Sequence, residues 1–222
     1  MRVLIDYRSA LRSRSGVGEY VHQLVTALLS RFPITRWRAY ELPRCGRPFD
    51  VRVVVFAELK TPGGQLAAFS AHTSGDVCQA RAVADLVRAN AGPLPAVVMG
   101  DFNAPQTSPA VTFLTHDAGF VDAFALANPG APGFTDGQDV EVARPTARQR
   151  IDYVFLSPGQ RVPGRVVGSR VVLHEPSGVG RVRWPSDHYG VLAEIALDGP
   201  ASSHLEGSEA VRDIGRPRGG GG

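Results

Sequence analysis

The sequence predicts an α+β fold, on three observations. Short β-branched or continuously apolar runs recur through residues 51–198. A Thr61-Pro62-Gly63-Gly64 turn joins two of them into a hairpin. Only two stretches of that span, Val77 to Asn90 and Ser108 to Ala118, read as helices. Strands therefore dominate, with a few helices between them.

The elements follow in order. Arg2 to Asp6 is a short apolar run, and Ser15-Gly16-Val17-Gly18 closes a polar loop. Val21, Leu24, Val25, Leu28 and Leu29 then recur at helical spacing. Residues 32–50 have no clean period. With Pro33, Pro43 and Pro48 and the basic Arg44-Cys45-Gly46-Arg47, they read as a connector, anchored by Trp37. Val51 to Leu59 and Gln65 to Ala71 are the arms of the hairpin. Val77 to Asn90 sets Val83, Leu86 and Val87 on one side and stops before Pro93 and Pro95. Ala96-Val97-Val98-Met99 is a strand of the continuous, doubly buried type. Ser108 to Ala118 starts a helix with Pro109 at its first position. Ile151 to Leu156, Arg165 to Leu173 and Val191 to Leu197 are three more strands. Residues 199–222 are Gly, Ser, Pro and charge, the composition of a disordered tail.

Composition narrows the function classes. No apolar run reaches the ~20 residues of a spanning helix. Met1 to Asp6 is too short and too charged for a secretory signal. Two cysteines, Cys45 and Cys78, exclude a disulfide scaffold and a four-thiolate zinc site. They are expected to be free thiols in a reducing, cytoplasmic compartment. A net charge of +3 permits an anionic substrate without indicating a nucleic-acid coating protein. Lys60 is the sole lysine, so the positive charge is almost all arginine.

Four segments carry chemistry. Met99-Gly100-Asp101-Phe102-Asn103-Ala104-Pro105 runs a buried strand into an acid and an amide two residues apart. Together they could orient a water and bind a phosphoryl oxygen; an Asx turn would leave the same trace. Trp184-Pro185-Ser186-Asp187-His188-Tyr189-Gly190 sets an acid and a histidine before the last strand, for acid/base work or as plain surface. Arg148-Gln149-Arg150-Ile151-Asp152-Tyr153 carries Asp152 in an apolar strand. It is paired there either with a histidine or with a nearby arginine. Phe69-Ser70-Ala71-His72-Thr73 ends the hairpin in a histidine, which alone reads as structural.

Taken in this order, the segments resemble the carboxy-terminal half of the endonuclease/exonuclease/phosphatase superfamily, which shares the pancreatic deoxyribonuclease fold. The resemblance covers residues 51–198 and rests on Gly100 to Ala104, Arg150 to Tyr153 and Ser186 to His188. It implies half of a four-layer α/β/β/α sandwich, mostly antiparallel sheet with flanking helices. It implies that His188 acts on the phosphoryl group, that Asp152 orients His188, and that Asp101 positions the attacking water. Asn103 and His72 would contact phosphate, and Asp187 would lie beside the metal. The reaction implied is metal-dependent hydrolysis of a phosphodiester or phosphomonoester with Mg²⁺ or Mn²⁺. The partner would be a phosphate-ester substrate, a nucleic acid or phospholipid headgroup among the candidates. Phe134-Thr135 and Arg144-Pro145-Thr146 would stand on a substrate-side loop, or pack as ordinary loop.

The family's metal-binding glutamate finds no counterpart. Glu58 comes too late in the order, and Glu41 lacks the motif. Residues 1–31 instead resemble the opening of a retaining glycosyltransferase, without the third glycine of a dinucleotide fingerprint. Sugar transfer is rejected, since the rest of such an enzyme is missing. The chain thus reads as a composite: 1–31 a strand–helix segment, 32–50 a seam, 51–198 a truncated phosphoesterase-like domain, 199–222 a tail. A lone half domain is expected to leave the sheet of residues 51–59, 96–99 and 151–156 uncovered and prone to self-association. A catalytically inactive remnant that binds phosphate or nucleic acid weakly is the alternative function.

Overall fold

The structure, a computed structural model, describes residues 2–3, 32–157, 164–176, 184 and 186–197. The helix expected after Gly18 and the tail 199–222 lie outside the described residues. So does the glycosyltransferase-like segment, apart from a two-residue strand β1 (Arg2–Val3).

The segment read as a connector begins with a strand, β2 (Ile34–Glu41), which pairs antiparallel with β3 (Val53–Thr61). Its side chains are mostly exposed on both faces, so no alternation marked it in the sequence. Trp37 does not anchor it and is 62% exposed. Beyond β3 the hairpin forms in the expected place, with Thr61 opposite Gly64 at the start of β4 (Gly64–His72).

Helix α1 (Val77–Ala91) follows, capped by the Asp76 carboxylate on the Cys78 N–H and ended by Gly92 at a positive φ of +57°. Strand β5 (Ala96–Asp101) is buried along its whole length. Helix α2 (Pro109–Thr112), capped by Ser108, continues as a π-helical turn over Phe113–Asp117. A short β6 (Val121–Asp122) and helix α3 (Ala123–Ala127) precede β7 (Asp152–Ser157), β8 (Gly164–Val172) and β9 (Gly190–Leu197).

Two sheets result. A six-stranded sheet has the order β2-β3-β4-β5-β7-β6, and a three-stranded sheet the order β1-β9-β8. Only the β4–β5 pair of the large sheet is parallel, because α1 carries the chain back between them. On one face of that sheet, Val83, Val87, Val111 and Leu114 of the helical side pack on Phe56, Phe69, Val98 and Phe155. On the other face, Val191, Ala193 and Ile195 of β9 pack on Leu59, Leu66, Val97, Met99 and Val154. Helix, sheet and sheet therefore form three layers among the described residues.

This overturns the expectation of an uncovered sheet. The last strands turn back over the first sheet, so the apolar faces of β3, β5 and β7 bury each other's neighbours within the chain. Trp37 marks the limit of that cover. It is opposite Ala57, hence on the same inter-sheet face, but stays exposed at the β2 edge.

The free-thiol expectation is also corrected. Cys45 and Cys78 are joined by a disulfide, with Cα atoms 6.1 Å apart. Gln79, fully buried, draws the loop in: its side-chain amide donates to the Pro43 carbonyl while its oxygen accepts from the Ser74 N–H. That contact brings Cys45 to the first turn of α1. The inferred reducing compartment rested on free thiols and loses that ground. Among the described residues, no helix is long and apolar enough to cross a membrane.

Candidate active site

Three of the singled-out residues stand in one row. His72 ends β4, Asp101 ends β5 and Asp152 begins β7, and strand register pairs His72 with Asp101 and Asp101 with Asp152. Each shares the parity of residues such as Ala68, Met99 and Val154, so all three belong to the inter-sheet face. The second sheet completes the site from that side, through His188 just before β9.

Gly100 makes the row possible. Its φ is +136°, and a Cβ there would stand 2.0 Å from the Ala71 carbonyl oxygen. The glycine lets β4 and β5 close tightly one residue before His72 and Asp101. After Asp101 the chain turns. Asp101 Oδ1 accepts the Asn103 N–H at 2.7 Å, and Asn103 takes a left-handed φ of +48°. The Asx turn and the functional placement thus coexist. The Asn103 amide also donates to the Thr73 carbonyl at 2.8 Å, which holds its head beside the end of β4. Phe102, buried between, packs edge-on against Tyr153 and Phe155 and pins the turn to the core.

Asp152 pairs with the histidine. His188 Nδ1 lies 2.9 Å from Asp152 Oδ2. The nearby Arg150 instead binds Asp122 at 2.6 Å, under α3, and Gln106 at 2.6 Å. Thr135, fully buried, accepts the Ile151 and Asp152 N–H groups at 3.2 Å each, so it supports the start of β7 from below. Thr146 and Gln138 tie the loop that follows: Thr146 donates to the Gly137 carbonyl, and Gln138 accepts from the Thr146 N–H and the Tyr189 hydroxyl. Phe134 stays part-exposed at the rim, at 43%.

Two side chains passed over in the sequence enter the site. Asp136 Oδ1 lies 3.2 Å from His188 Nε2, so carboxylates flank the imidazole on both nitrogens. Arg52 Nη1 lies 2.5 Å from His72 Nε2 and is held by Asp50 at 2.6 Å. The only sequence signals were the Thr135-Asp136-Gly137 turn and the Asp50-Val51-Arg52 alternation, both too common to single out. Asp187, by contrast, is exposed, accepts from the Ser186 hydroxyl, and lies outside the buried group.

The electrostatics separate the two histidines. Burial works against charge on His188, but the Asp152 hydrogen bond and the Asp152, Asp101 and Asp136 carboxylates outweigh it and hold its pKa up at about 9. His72 is pushed the other way, by burial first and by Arg52, against the pull of Asp101. It is therefore a neutral ring that accepts from the guanidinium. Asp101 is raised by burial and then by the Asp152 carboxylate, and the Asn103 N–H opposes both. Asp152 is raised by burial, against the hydrogen bond from His188.

The donor set fits a hard divalent cation. Ligand atoms of Asp101, Asp152 and His188 lie within 4.8 Å of one another. Asp152 Oδ1 is buried and has no hydrogen-bond partner among the described residues. Two buried carboxylates, both raised by burial and Asp101 also by Asp152, and one orphaned oxygen make a site that a cation would relieve. His188 has both ring nitrogens turned to carboxylates, so oxygen atoms are the natural ligands. Glu41 and Glu58 play no part here. Glu41 pairs with Arg44; Glu58 pairs with Arg36, opposite Ala67 and well down the hairpin from His72.

Comparison with known proteins agrees with this architecture. A search of curated proteins returned no match. Among solved structures, the chain is similar to a mannosyl-6-phosphatase of Bacteroides thetaiotaomicron VPI-5482, with a TM-score of 0.63, 21% identity, and 74% of this chain and 67% of that one covered. It is also similar to a sphingomyelinase C of Streptomyces griseocarneus, with a TM-score of 0.56, 21% identity, and coverage of 73% and 64%. The human Nocturnin catalytic domain with bound sulfate anion aligns at a TM-score of 0.55 and 16% identity, over 75% and 60%. The chain thus spans about two thirds or less of the length of these structures. At identities this low, the structural likeness shows the shared fold alone. The model of the Endonuclease/Exonuclease/phosphatase family matches residues 18–188. That span holds every strand of the six-stranded sheet and the whole His72–Asp101–Asp152–His188 cluster, and the chain belongs to the endonuclease/exonuclease/phosphatase family.

Proposed function

We propose that the chain is a metal-dependent phosphoesterase. The observation that carries this reading is the row His72–Asp101–Asp152 closed by His188, with an orphaned carboxylate oxygen at its centre. Water attacks phosphorus in line and gives up a proton to Asp101, the P–O bond to the leaving group breaks, and the leaving oxygen takes up a proton from solvent. His188, charged at neutral pH, donates from Nε2 to a phosphoryl oxygen and offsets the charge that grows there. Asp152 keeps the ring in plane from Nδ1. Asp101 accepts a hydrogen bond from the attacking water, and its burial leaves it more basic than an ordinary carboxylate. The Asn103 amide and the Arg52–His72 pair bind the remaining phosphoryl oxygens.

Asp101 and Asp152 would hold a divalent cation, Mg²⁺ or Mn²⁺, with Asp187 at the rim. When bound, such an ion supplies positive charge against the phosphoryl oxygens. The substrate class is a phosphate ester. The resemblance to a mannosyl-6-phosphatase and a sphingomyelinase supports sugar phosphates and phospholipid headgroups as candidates. The site residues are carried by the family motif, and their roles rest on the geometry above.

A second reading has its own support: Glu41 and Glu58, the two glutamates of the first strands, are paired with arginines away from the site. On that reading the chain binds phosphate without turnover. Hydrolysis of bis(p-nitrophenyl) phosphate, with Mg²⁺ or Mn²⁺ and with chelator, decides between them. A chelator-sensitive rate that vanishes in His188→Ala supports the enzyme. Phosphate binding with no rate above the variant, in a folded sample, supports the binding module.

A further inference from the structure

We propose that Asp136 is a positioning residue for His188 and an internal competitor for the anion that His188 binds; this rests on the phosphoesterase reading. The carboxylate of Asp136 approaches His188 at Nε2, at 3.2 Å, while Asp152 holds Nδ1 at 2.9 Å. The ring is therefore held from both ends, in one plane and one rotamer. Nε2 is also the nitrogen left for a phosphoryl oxygen once Asp152 has taken Nδ1. An incoming anion must take that N–H from a carboxylate.

The backbone of Asp136 cannot withdraw to make room. Its N–H donates to the Gln149 carbonyl at 3.0 Å, and its carbonyl accepts from the Arg148 N–H at 2.8 Å. It forms isolated bridges with both Gln149 and His188, and Tyr189 N–H closes on the Thr135 carbonyl at 2.7 Å. The side chain can move, since it is 23% exposed while those of Asp101 and Asp152 are each 7% exposed. Substrate binding thus swings Asp136 toward water and leaves the three-strand row in place. The carboxylate keeps His188 oriented in the resting site and raises the cost of binding a bare anion. Only a phosphoryl group that makes the rest of the contacts, to Asn103 and to the Arg52–His72 pair, repays that cost.

The sign of the effect makes the idea testable. Loss of a merely structural contact would weaken binding, whereas loss of a competitor strengthens it. Inorganic phosphate is titrated into the full chain in chelator by calorimetry, with the ring ¹H–¹⁵N resonances of His188 followed in the chains that keep that ring. The wild type is compared with Asp136→Asn, Asp136→Ser and His188→Ala, each checked for folding by its melting curve. The expected result is phosphate affinity raised about fivefold or more in both Asp136 variants. With substrate, KM falls and kcat falls with it, because His188 loses its second anchor. Unchanged or weaker phosphate binding in both Asp136 variants, with binding lost in His188→Ala, overturns the proposal and leaves the phosphoesterase reading standing. No saturable binding in the wild type or in either Asp136 variant also overturns the proposal, and the phosphoesterase reading is judged separately by its Mg²⁺-dependent rate.

Discussion

Replacing Asp152 by Asn tests the centre of the site. The amide keeps the shape and removes the charge. Burial alone would lower the His188 pKa, yet it is held up at about 9, chiefly through the Asp152 hydrogen bond and charge. Bringing the ring from about 9 down to its ordinary 6.5 corresponds to about 3 kcal/mol. Asp101 and Asp136 keep part of that, so the Asp152→Asn change should withdraw about 2 kcal/mol and lower the His188 pKa by one to two pH units. If the imidazolium stabilises the phosphoryl transition state, the rate should fall no more than about twofold at pH 7 and by about fivefold to fiftyfold at pH 9, following the population of the charged ring. Two assays separate this from loss of a cation ligand. Titration of the His188 ring by ¹H–¹⁵N correlation is run in chelator, where no cation is bound. Hydrolysis of bis(p-nitrophenyl) phosphate is run across a Mg²⁺ series, where a mere ligand defect would be recovered at high Mg²⁺. A His188 that still titrates near 9 in the variant, or a rate loss that does not grow between pH 7 and pH 9, would refute the electrostatic argument.

Two further predictions concern the frame. Arg150→Met should cost about 3–5 kcal/mol, read by urea unfolding, because it leaves the buried Asp122 carboxylate without the guanidinium 2.6 Å away; a loss under 1 kcal/mol would mean that Asp122 is satisfied by its caps on Phe124 and Ala125 alone. Cys45→Ser should cost about 2–4 kcal/mol, since the bond closes a loop across a sequence separation of 33. The wild type should resist alkylation until a reductant is added, and immediate labelling of both cysteines would contradict the bond.

Much of this was legible residue by residue. The hairpin was readable because Pro62-Gly63 admits a tight turn between two apolar runs. Helix α1 was readable from the spacing of Val83, Leu86 and Val87 and from the Pro93 and Pro95 that follow it. The site segments were readable because Asp101, Asp152 and His188 are polar groups in or beside apolar strands, where an unpaired charge is costly. The strand β2 was not, since an exposed edge leaves no alternation to read. Helix α3 spans five residues, too few for a period. The Cys45–Cys78 bond was missed because composition counts cysteines and says nothing of which loops meet.

Sequence alone determined which chemistry stands at each strand end: a histidine after β4, an acid after a glycine on β5, an acid opening β7, a histidine before β9. These are local matters of residue type, turn propensity and hydrophobic period. Tertiary structure decided that they form one site. Strand register set His72, Asp101 and Asp152 side by side. The return of β9 over the sheet brought His188 to Asp152 and left Arg150 to Asp122. It also placed Asp136 on the other nitrogen and buried the face expected to stand open. Such pairings join residues tens of positions apart, and the free energy that selects them is the burial of one sheet by another, which no short window of sequence contains.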